Sequence, residues 1–519
     1  MIQRGGGAHC GLDTARTHCV PASLRTAAVP RVHTAIIGSG PCGLGAAWRL
    51  EELARLGLPN AADWTLIESA PASGGLACSV VDPAGFTWDM GGHVIFSHYA
   101  YFSRLLDALL PPSEWNTLER EAWVWMRDRF IPYPFQQNIH RLPAEDVTKV
   151  LQGLLDLVKN KSSFKRPAHF GEWLQQSFGK GLCEVFMEPY NKKVWAFNPE
   201  QMNVEWMGER VATVDTARII SNVISQKDEL GWGPNSTFRF PMHGGTGAIW
   251  KALFEALPKD KFQFSKSVTG VDVAAKLLSF ADGSQLQYEH LISTMPLDCL
   301  LRISRGLPGY TSEDLSAKAS QFRYSSSHIV GFGLEGSPPP ELATKCWLYF
   351  PEDNSPFYRA TVFSNYSPNV VPKPGQQWSI MTEVSESAQK PVNIGTLIEE
   401  VERGLLACKL ITPDTKIASR FHKRLEYGYP TPFLGRDQLL APLQEALEKQ
   451  CILSRGRFGS WKYEVSNQDH SLMLGVEAAD RAMLNTEEPT QKFPSLVNAN
   501  RDNVGRTPIT KGSPLEKKQ

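Results

Sequence analysis

An α/β fold with interleaved domains is predicted by three observations in this 519-residue chain. Residues 33–56, HTAIIGSGPCGLGAAWRLEELARL, read as an apolar strand, a glycine turn and a helix with Leu44, Ala47, Leu50, Leu53 and Ala54 on one face. A second strand, WTLIE, follows the loop GLPNAAD and completes a βαβ start. Alternating stretches broken by Gly and Pro then fill the middle and later chain, which points to a second, mainly antiparallel sheet. A chain of this length exceeds one simple core and holds two or three domains.

The remaining elements follow in order. Residues 142–159 predict an amphipathic helix with Val147, Val150, Leu151, Leu154, Leu155 and Val158 inward, and helical character continues to Ile224. The β-rich stretches are FRFPMHGGTGAI, FQFSKSVTGVDV, LISTMP, HIVGFGLEG, CWLYF and WSIMTEVSES. Helices at 394–409 and after Met473 are expected to return to the first domain. The nucleotide domain is therefore assigned to 31–110 with parts of 235–300 and 450–485, the helical domain to 140–225, and the antiparallel domain to 110–140 and 300–390. Residues 1–30 and 493–519 are expected to be disordered tails.

Bulk composition narrows the function. With 54 basic and 54 acidic side chains the formal net charge is zero, so no global field attracts nucleic acid or an anionic membrane. A bound phosphate must meet a local cluster. No run of eighteen apolar residues exists, and the nine cysteines contain no CxxC pair, against a zinc site or a disulfide framework. The expected compartment is the cytoplasm, with a homo-oligomer left open. The histidines form no HExxH, no GxSxG elbow is present, and GGTG at 244–247 lacks the Lys-Ser/Thr of a phosphate loop.

Gly38-Ser39-Gly40-Pro41-Cys42-Gly43 matches G-x-G-x-x-G in its required context, after a strand and at the start of a helix. Gly38 makes the turn, Gly40 admits pyrophosphate, and Gly43 allows close helix packing. Glu68, thirty residues after Gly38, ends the second strand and is expected on the adenosine ribose. Ser69 and the stretch ending in Gly74-Gly75-Leu76 come next, and this pair of glycines tilts the cofactor from NAD to FAD. Late in the chain, NQDHSLMLGVEAADRAM offers Asn467, Gln468 and a glycine, Gly475, expected just before a helix that closes over the ribityl chain. The class is then a Rossmann-like FAD-binding domain interleaved with a helical and an antiparallel domain.

The motifs GGHVIFSHY, IPYPFQQN, PYNKKVWAF, MGERVA, WGPNSTFRFP, CWLYFPEDNSPFYRATVFSNYSP, YGYPTP and GRFGSWKYEVSNQDHS together resemble the eukaryotic UDP-galactopyranose mutases, from about His33 to Asn485. Cys42, where a hydroxyl residue is usual, and the start Glu188-Pro189-Tyr190 depart mildly from that pattern. The resemblance implies interconversion of UDP-galactopyranose and UDP-galactofuranose, with N5 of reduced FAD attacking the anomeric carbon, UDP leaving, and no net redox change. NADPH is the implied reductant. Arg210 and Arg359 would hold the diphosphate, since guanidinium offers paired donors to phosphate oxygens.

By the same resemblance Tyr349, Tyr429 and Tyr463 add hydroxyl donors, Tyr133 and Gln136 take the uracil, Asn191 and Trp195 lie along the nucleotide, and Asn235 touches galactose. Asn467 contacts both ligands, and Arg457 belongs to the flavin. Gly91, Gly92 and His93 form a loop in which a backbone carbonyl accepts the N5 hydrogen of reduced flavin while the imidazole packs on the ring. His98 reads as structural. Two other readings share parts of this pattern: an amine oxidase or carotenoid desaturase with an apolar tunnel, and a nucleotide-sugar binding protein without turnover.

Overall fold

The computed structural model describes residues 29–160, 164–207, 214–230 and 237–499, and builds them around two large sheets. The first has a parallel centre ordered Phe262–Gln263, Trp64–Ile67, Arg31–Ile37, Gln285–Ser293 and Ile452–Ser454. Leu277–Phe280 and Val268–Asp272 extend it antiparallel from the first half of Gln285–Ser293. Because side chains alternate along a strand, Ile36 faces one side with Leu66 and Ile292, while Ala35 and Ile37 face the other. Both faces are covered by helices, which is why Ala35, Ile36 and Ile37 are apolar in succession.

Helix Pro41–Arg55 lies between this sheet and helix Gln468–Leu484. The crossing is tight. A Cβ on Gly45 would sit 2.5 Å from the Leu472 oxygen, and one on Gly475 1.9 Å from the Cys42 oxygen. Gly475, expected ahead of the helix, lies inside it, where its missing side chain lets two backbones touch. The helix itself begins at Gln468 and so brings Asn467 and Gln468 to the turn's neighbourhood.

The second sheet has seven strands, ordered Ile417–Pro430, Tyr324–Glu335, Gln377–Glu386, Arg359–Val362, Trp347–Tyr349, Ala122–Met126 and Arg129–Pro132. All neighbours are antiparallel except Trp347–Tyr349 against Ala122–Met126. Two of its strands fall within the expected 110–140, and the other five span 324–430 in place of the expected 300–390. Leu297–Ile303 and Ser312–Ala319 are helices under the first sheet, and the edge strand Ile417–Pro430 reads as polar because one of its faces is exposed. Two of the glycines of HIVGFGLEG are not turns. Gly331 and Gly333 sit within a continuous strand, and a Cβ on them would strike the rings of Trp88 and Phe86 at 2.6 and 2.5 Å. The helix expected at 394–409 does not return to the nucleotide sheet: Leu397, Val401 and Leu405 pack on this second one.

The helical region pairs Ala144–Asn160 with Phe170–Leu182, which continues through a π turn into Glu188–Trp195. Gly153 and Gly181 bring the first two together; a Cβ on Gly153 would lie 2.5 Å from Gly181 N. That contact covers Val150 and Leu154, whereas Leu155 and Val158, expected inside, are 49% and 57% exposed. Order also runs past the expected boundary at 493. Pro494–Ala499 is helical, with Val497 buried and the Asn498 amide donating to the Glu464 carbonyl.

The Gly45–Gly475 crossing generates a test. Gly475→Val is expected to lower stability by about 2–3 kcal/mol, because overpacking here meets backbone and not a movable side chain. Thermal denaturation would reveal it, with cofactor content falling in parallel; an unchanged melting temperature would mean the helices are not locked at this point.

Candidate active site

At the first strand's end, Gly38 adopts φ +95°, and a Cβ there would collide with Thr294 Oγ1 at 2.1 Å. Gly43 allows even less, since its Cβ would be 1.8 Å from the Gly38 oxygen. Gly40 differs: a Cβ there would meet only Gly75 Cα and the Gly74 oxygen, at 3.8 and 4.0 Å, so open space lies above the turn. Helix Pro41–Arg55 carries no side-chain cap at its N-terminus, and the buried Ser39 Oγ has no partner. Uncapped amides beside that open space suit a pyrophosphate. Glu68 is half-buried at the end of the second strand; it accepts the Ser39 amide at 2.7 Å and the Ala70 amide at 2.8 Å, beside the Ser69 hydroxyl. Cys42 is buried against Gly456, and burial pushes its thiol far up, so it is a neutral packing group.

The glycine loop follows strand Thr87–Asp89. Asp89 anchors it: the buried carboxylate accepts Ser79 Oγ at 2.5 Å and Thr246 Oγ1 at 2.7 Å, and burial raises its pKa to about 6. Thr246 belongs to GGTG, which is therefore a turn fastened beneath the loop. Gly91 has φ +135°, a value side chains resist, and the His93 amide donates to the Gly91 carbonyl at 2.8 Å. Gly92 is glycine for a different reason. Its φ lies outside the left-handed region, but a Cβ would come within 2.7 Å of Thr361 Oγ1.

Beyond the loop opens a cleft of about 420 Å³. Its wall contains Leu76, Gly91, Gly92, His93, Tyr133, Gln136, Asn191, Trp195, Tyr349, Arg359, Tyr429, Arg457, Tyr463, Asn467 and Gln468, all expected site residues. Gly38, Gly40, Pro41, Cys42, Gly43, Glu68, Ser69 and Gly75 lie apart from this cleft lining, in or near the turn after the first strand. Arg210 and Asn235 lie outside the described residues.

The cleft is cationic and aromatic. Its charged lining is Arg120, Arg359 and Arg457 against one carboxylate, Glu383. Arg359 lies over the Trp347 ring at 4.8 Å and Arg457 over the Tyr429 ring at 4.8 Å, with Arg457 Nε buried and without a partner. Tyr133 packs beside Tyr349 at 5.3 Å, and Trp195 beside Tyr463 at 4.7 Å. Asn191 gives its amide to the Met187 carbonyl, which fixes its orientation on the helix. His98 ties the loop to the late helix through Asp469, with Nδ1 2.8 Å from the carboxylate, in keeping with a structural role.

Several lining residues escape a sequence reading, Glu383, Tyr358, Trp347 and Arg120 above all. Glu383 had one legible signal, a charge inside the otherwise uncharged strand core WSIMTEVS, since a buried carboxylate demands a partner. The partner is Arg359, directly opposite in the ladder. Its Nε and Nη2 donate to the two carboxylate oxygens at 2.8 and 2.6 Å.

A family profile described as flavin containing amine oxidoreductase matches residues 41–385. Among solved structures the chain is similar to a crystal structure of reduced UDP-galactopyranose mutase, at 50% identity and a TM-score of 0.86, over 90% of this chain and 99% of that one. Cyclohexylamine oxidase from Brevibacterium oxydans IH-35A shares the fold at 15% identity and TM-score 0.61, over 88% and 99% of the two chains. A CLA-producing fatty acid isomerase from P. acnes does so at 15% and 0.55, over 87% and 98%.

His93 supplies a prediction. Burial lowers its pKa to about 4, and Arg457 and Arg359 push the same way against Glu383. Between that value and the ordinary 6.5 the unfolded chain takes up a proton that the folded protein refuses, so stability falls as pH drops through this window. Replacing His93 with Asn should make the fall in melting temperature from pH 6.5 to 4 shallower; curves that remain parallel would show an imidazole that titrates normally.

Proposed function

Since this chain belongs to the flavin-containing amine oxidoreductases and, within them, to the UDP-galactopyranose mutases, we propose that it interconverts UDP-galactopyranose and UDP-galactofuranose with no net oxidation or reduction. The observation that carries this reading is the cleft beside the glycine loop, with three arginines against one carboxylate among aromatic rings. An oxidase for apolar amines or lipids has no use for such a wall, whereas a nucleotide diphosphate requires it.

FAD fits the residues at hand. Gly38 to Gly43 and Glu68 would hold its adenosine diphosphate end, and Gly75, Leu76, Gly91, Gly92, Arg457, Asn467 and Gln468 its other end. Bound and reduced, the flavin supplies a nucleophilic nitrogen for the anomeric carbon. The chain's own task is then to keep the departing UDP close enough to return.

Arg359 is suited to that task. Glu383 takes its Nε and Nη2 edge, so the fork is held rigidly before any ligand arrives, stacked on Trp347. Arg210 is proposed to act beside it, and the hydroxyls of Tyr349, Tyr429 and Tyr463 add neutral donors. Tyr133 and Gln136 would receive the uracil, Asn191 and Trp195 the stretch toward the sugar, and Asn235 the galactose. His93 stays neutral above about pH 4, so it packs on the ring and does no acid–base work near neutral pH. NADPH is the proposed electron source, entering by the same cleft.

Three measurements test this. Dithionite-reduced protein given UDP-galactofuranose should yield UDP-galactopyranose on chromatography, and the oxidised protein should not; equal turnover in both states would sink the mutase reading. Arg359→Lys should cut turnover by roughly thirtyfold or more, equivalent to about 2 kcal/mol for lost charge-assisted bonds, while flavin is retained. Saturating UDP should slow flavin reduction by NADPH, and a rate indifferent to UDP would require a separate nicotinamide site.

A further inference from the structure

We propose that a second cavity, on the far side of the seven-stranded sheet from the arginine-lined cleft, holds a phosphate group against the ammonium groups of Lys193 and Lys390, as free orthophosphate or a small phosphate monoester. This site is separate from the cleft and lies outside the reaction proposed above.

Alternation along strand Gln377–Glu386 sets the two sites back to back: Glu383 lines the cleft, and its neighbour Val384 lines the second cavity. Helix Glu188–Trp195 is divided in the same way, with Asn191 and Trp195 on the cleft and Lys193 on the cavity. A further wall is one face of helix Leu397–Ala407, on which Leu397, Glu400, Arg403, Gly404 and Ala407 recur at helical spacing. Gly404 brings that helix close, since a Cβ there would lie 2.9 Å from the Phe357 ring and from Ser355 Cβ. The volume enclosed is about 500 Å³.

Two ammonium groups line this space without a counter-ion. Lys193 is buried, and its Nζ donates to the Glu352 carbonyl at 2.6 Å and to Ser355 Oγ at 3.3 Å. Lys390, half-buried, donates to the Ser385 carbonyl at 2.6 Å. All three acceptors are neutral, and among the described residues neither lysine has a carboxylate within ion-pair distance. Cations taken from water in this way are costly to keep charged. Burial accordingly lowers the Lys193 pKa to about 7, with Lys390 pushing the same way against Cys408, Asp353 and Glu352. Lys390 falls to about 8 through burial, against Glu386 and Asp353. An anion beside both amines restores their charge.

Charge specifies the anion. A phosphate monoester carries about −1.5 to −2 at pH 7 and matches two ammonium groups, whereas a carboxylate matches one. Arg403, exposed on the same wall, offers paired donors to phosphate oxygens. The acids of the lining do not fill the site: Asp353 is exposed, and Glu400 accepts the Thr396 hydroxyl at 2.6 Å.

The test is isothermal titration of the flavin-loaded protein with orthophosphate and, separately, with glycerol phosphate, each with and without saturating UDP. Binding is expected to persist when UDP is present, and the tighter probe tells whether the site takes the free ion or an ester. Lys193→Met and Lys390→Met should each weaken it by about tenfold or more through lost charge-assisted bonds. Their UDP affinity should stay within about twofold of wild type, as expected for a separate site. Affinity for phosphate should also fall by about tenfold or more from pH 7 to 9, because amines that lose their protons near pH 7 and 8 must regain them to bind. A site made of arginines keeps its charge over that range.

Phosphate binding that UDP displaces completely, or that both lysine variants leave intact, would put the ion in the cleft and overturn the proposal. Absence of binding by either probe would overturn it as well. Lys390→Met is the decisive variant should Lys193→Met fail to fold, since Lys390 gives up a single hydrogen bond. Failure of the mutase reading looks different: a protein that binds no UDP yet retains lysine-dependent phosphate binding would leave this site standing.

Discussion

Removing a guanidinium and a carboxylate from water costs several kcal/mol per ion, and this molecule does so at Arg359 and Glu383 in the middle of a sheet. The cost is offset only because each oxygen of Glu383 accepts two hydrogen bonds and the guanidinium lies on an indole. Deleting one partner would strand the other, a loss of about 3–5 kcal/mol. The surroundings follow from this requirement. Position 92 must be glycine to bring its amide within reach, Tyr358 must turn its hydroxyl inward, and the strands of residues 359 and 383 must stay in direct register.

Interleaving along the chain serves the same end. The dinucleotide turn comes from the first strand and helix, the glycine loop from the following fifty residues, one wall from the helical region, another from the second sheet, and the late helix from residues 468–484. No continuous segment contains a complete site. Close backbone crossings at Gly45–Gly475 and Gly153–Gly181 hold these distant pieces together. The positions where bulk is forbidden therefore lie well away from the chemistry as well as inside it.

What was legible in the chain was local. A strand, a glycine turn and a helix within 24 residues declare themselves because their hydrogen bonds and packing are near neighbours, and motif-borne residues such as Tyr133, Tyr349 and Tyr463 do meet in one cleft. Long-range facts were not legible. Glu383 gains its meaning from Arg359, 24 residues earlier, and from Gly92, 291 residues earlier. The outward turn of Leu155 and Val158 depends on where the neighbouring helix stops covering them, and the polar face of Ile417–Pro430 disguised a strand of the sheet. Of the two loop glycines, only geometry separates the one that needs φ +135° from the one that needs space.

Cys42 sits in the turn whose open side suits a dinucleotide, in a chain of a flavin-containing family. A thiol becomes a target through its thiolate, and this one is buried and held strongly protonated. Oxidants formed nearby find no nucleophile there, and alkylating reagents find no entrance. The departure from a hydroxyl at this position therefore introduces no point of chemical ageing, and the turn is as durable as its backbone.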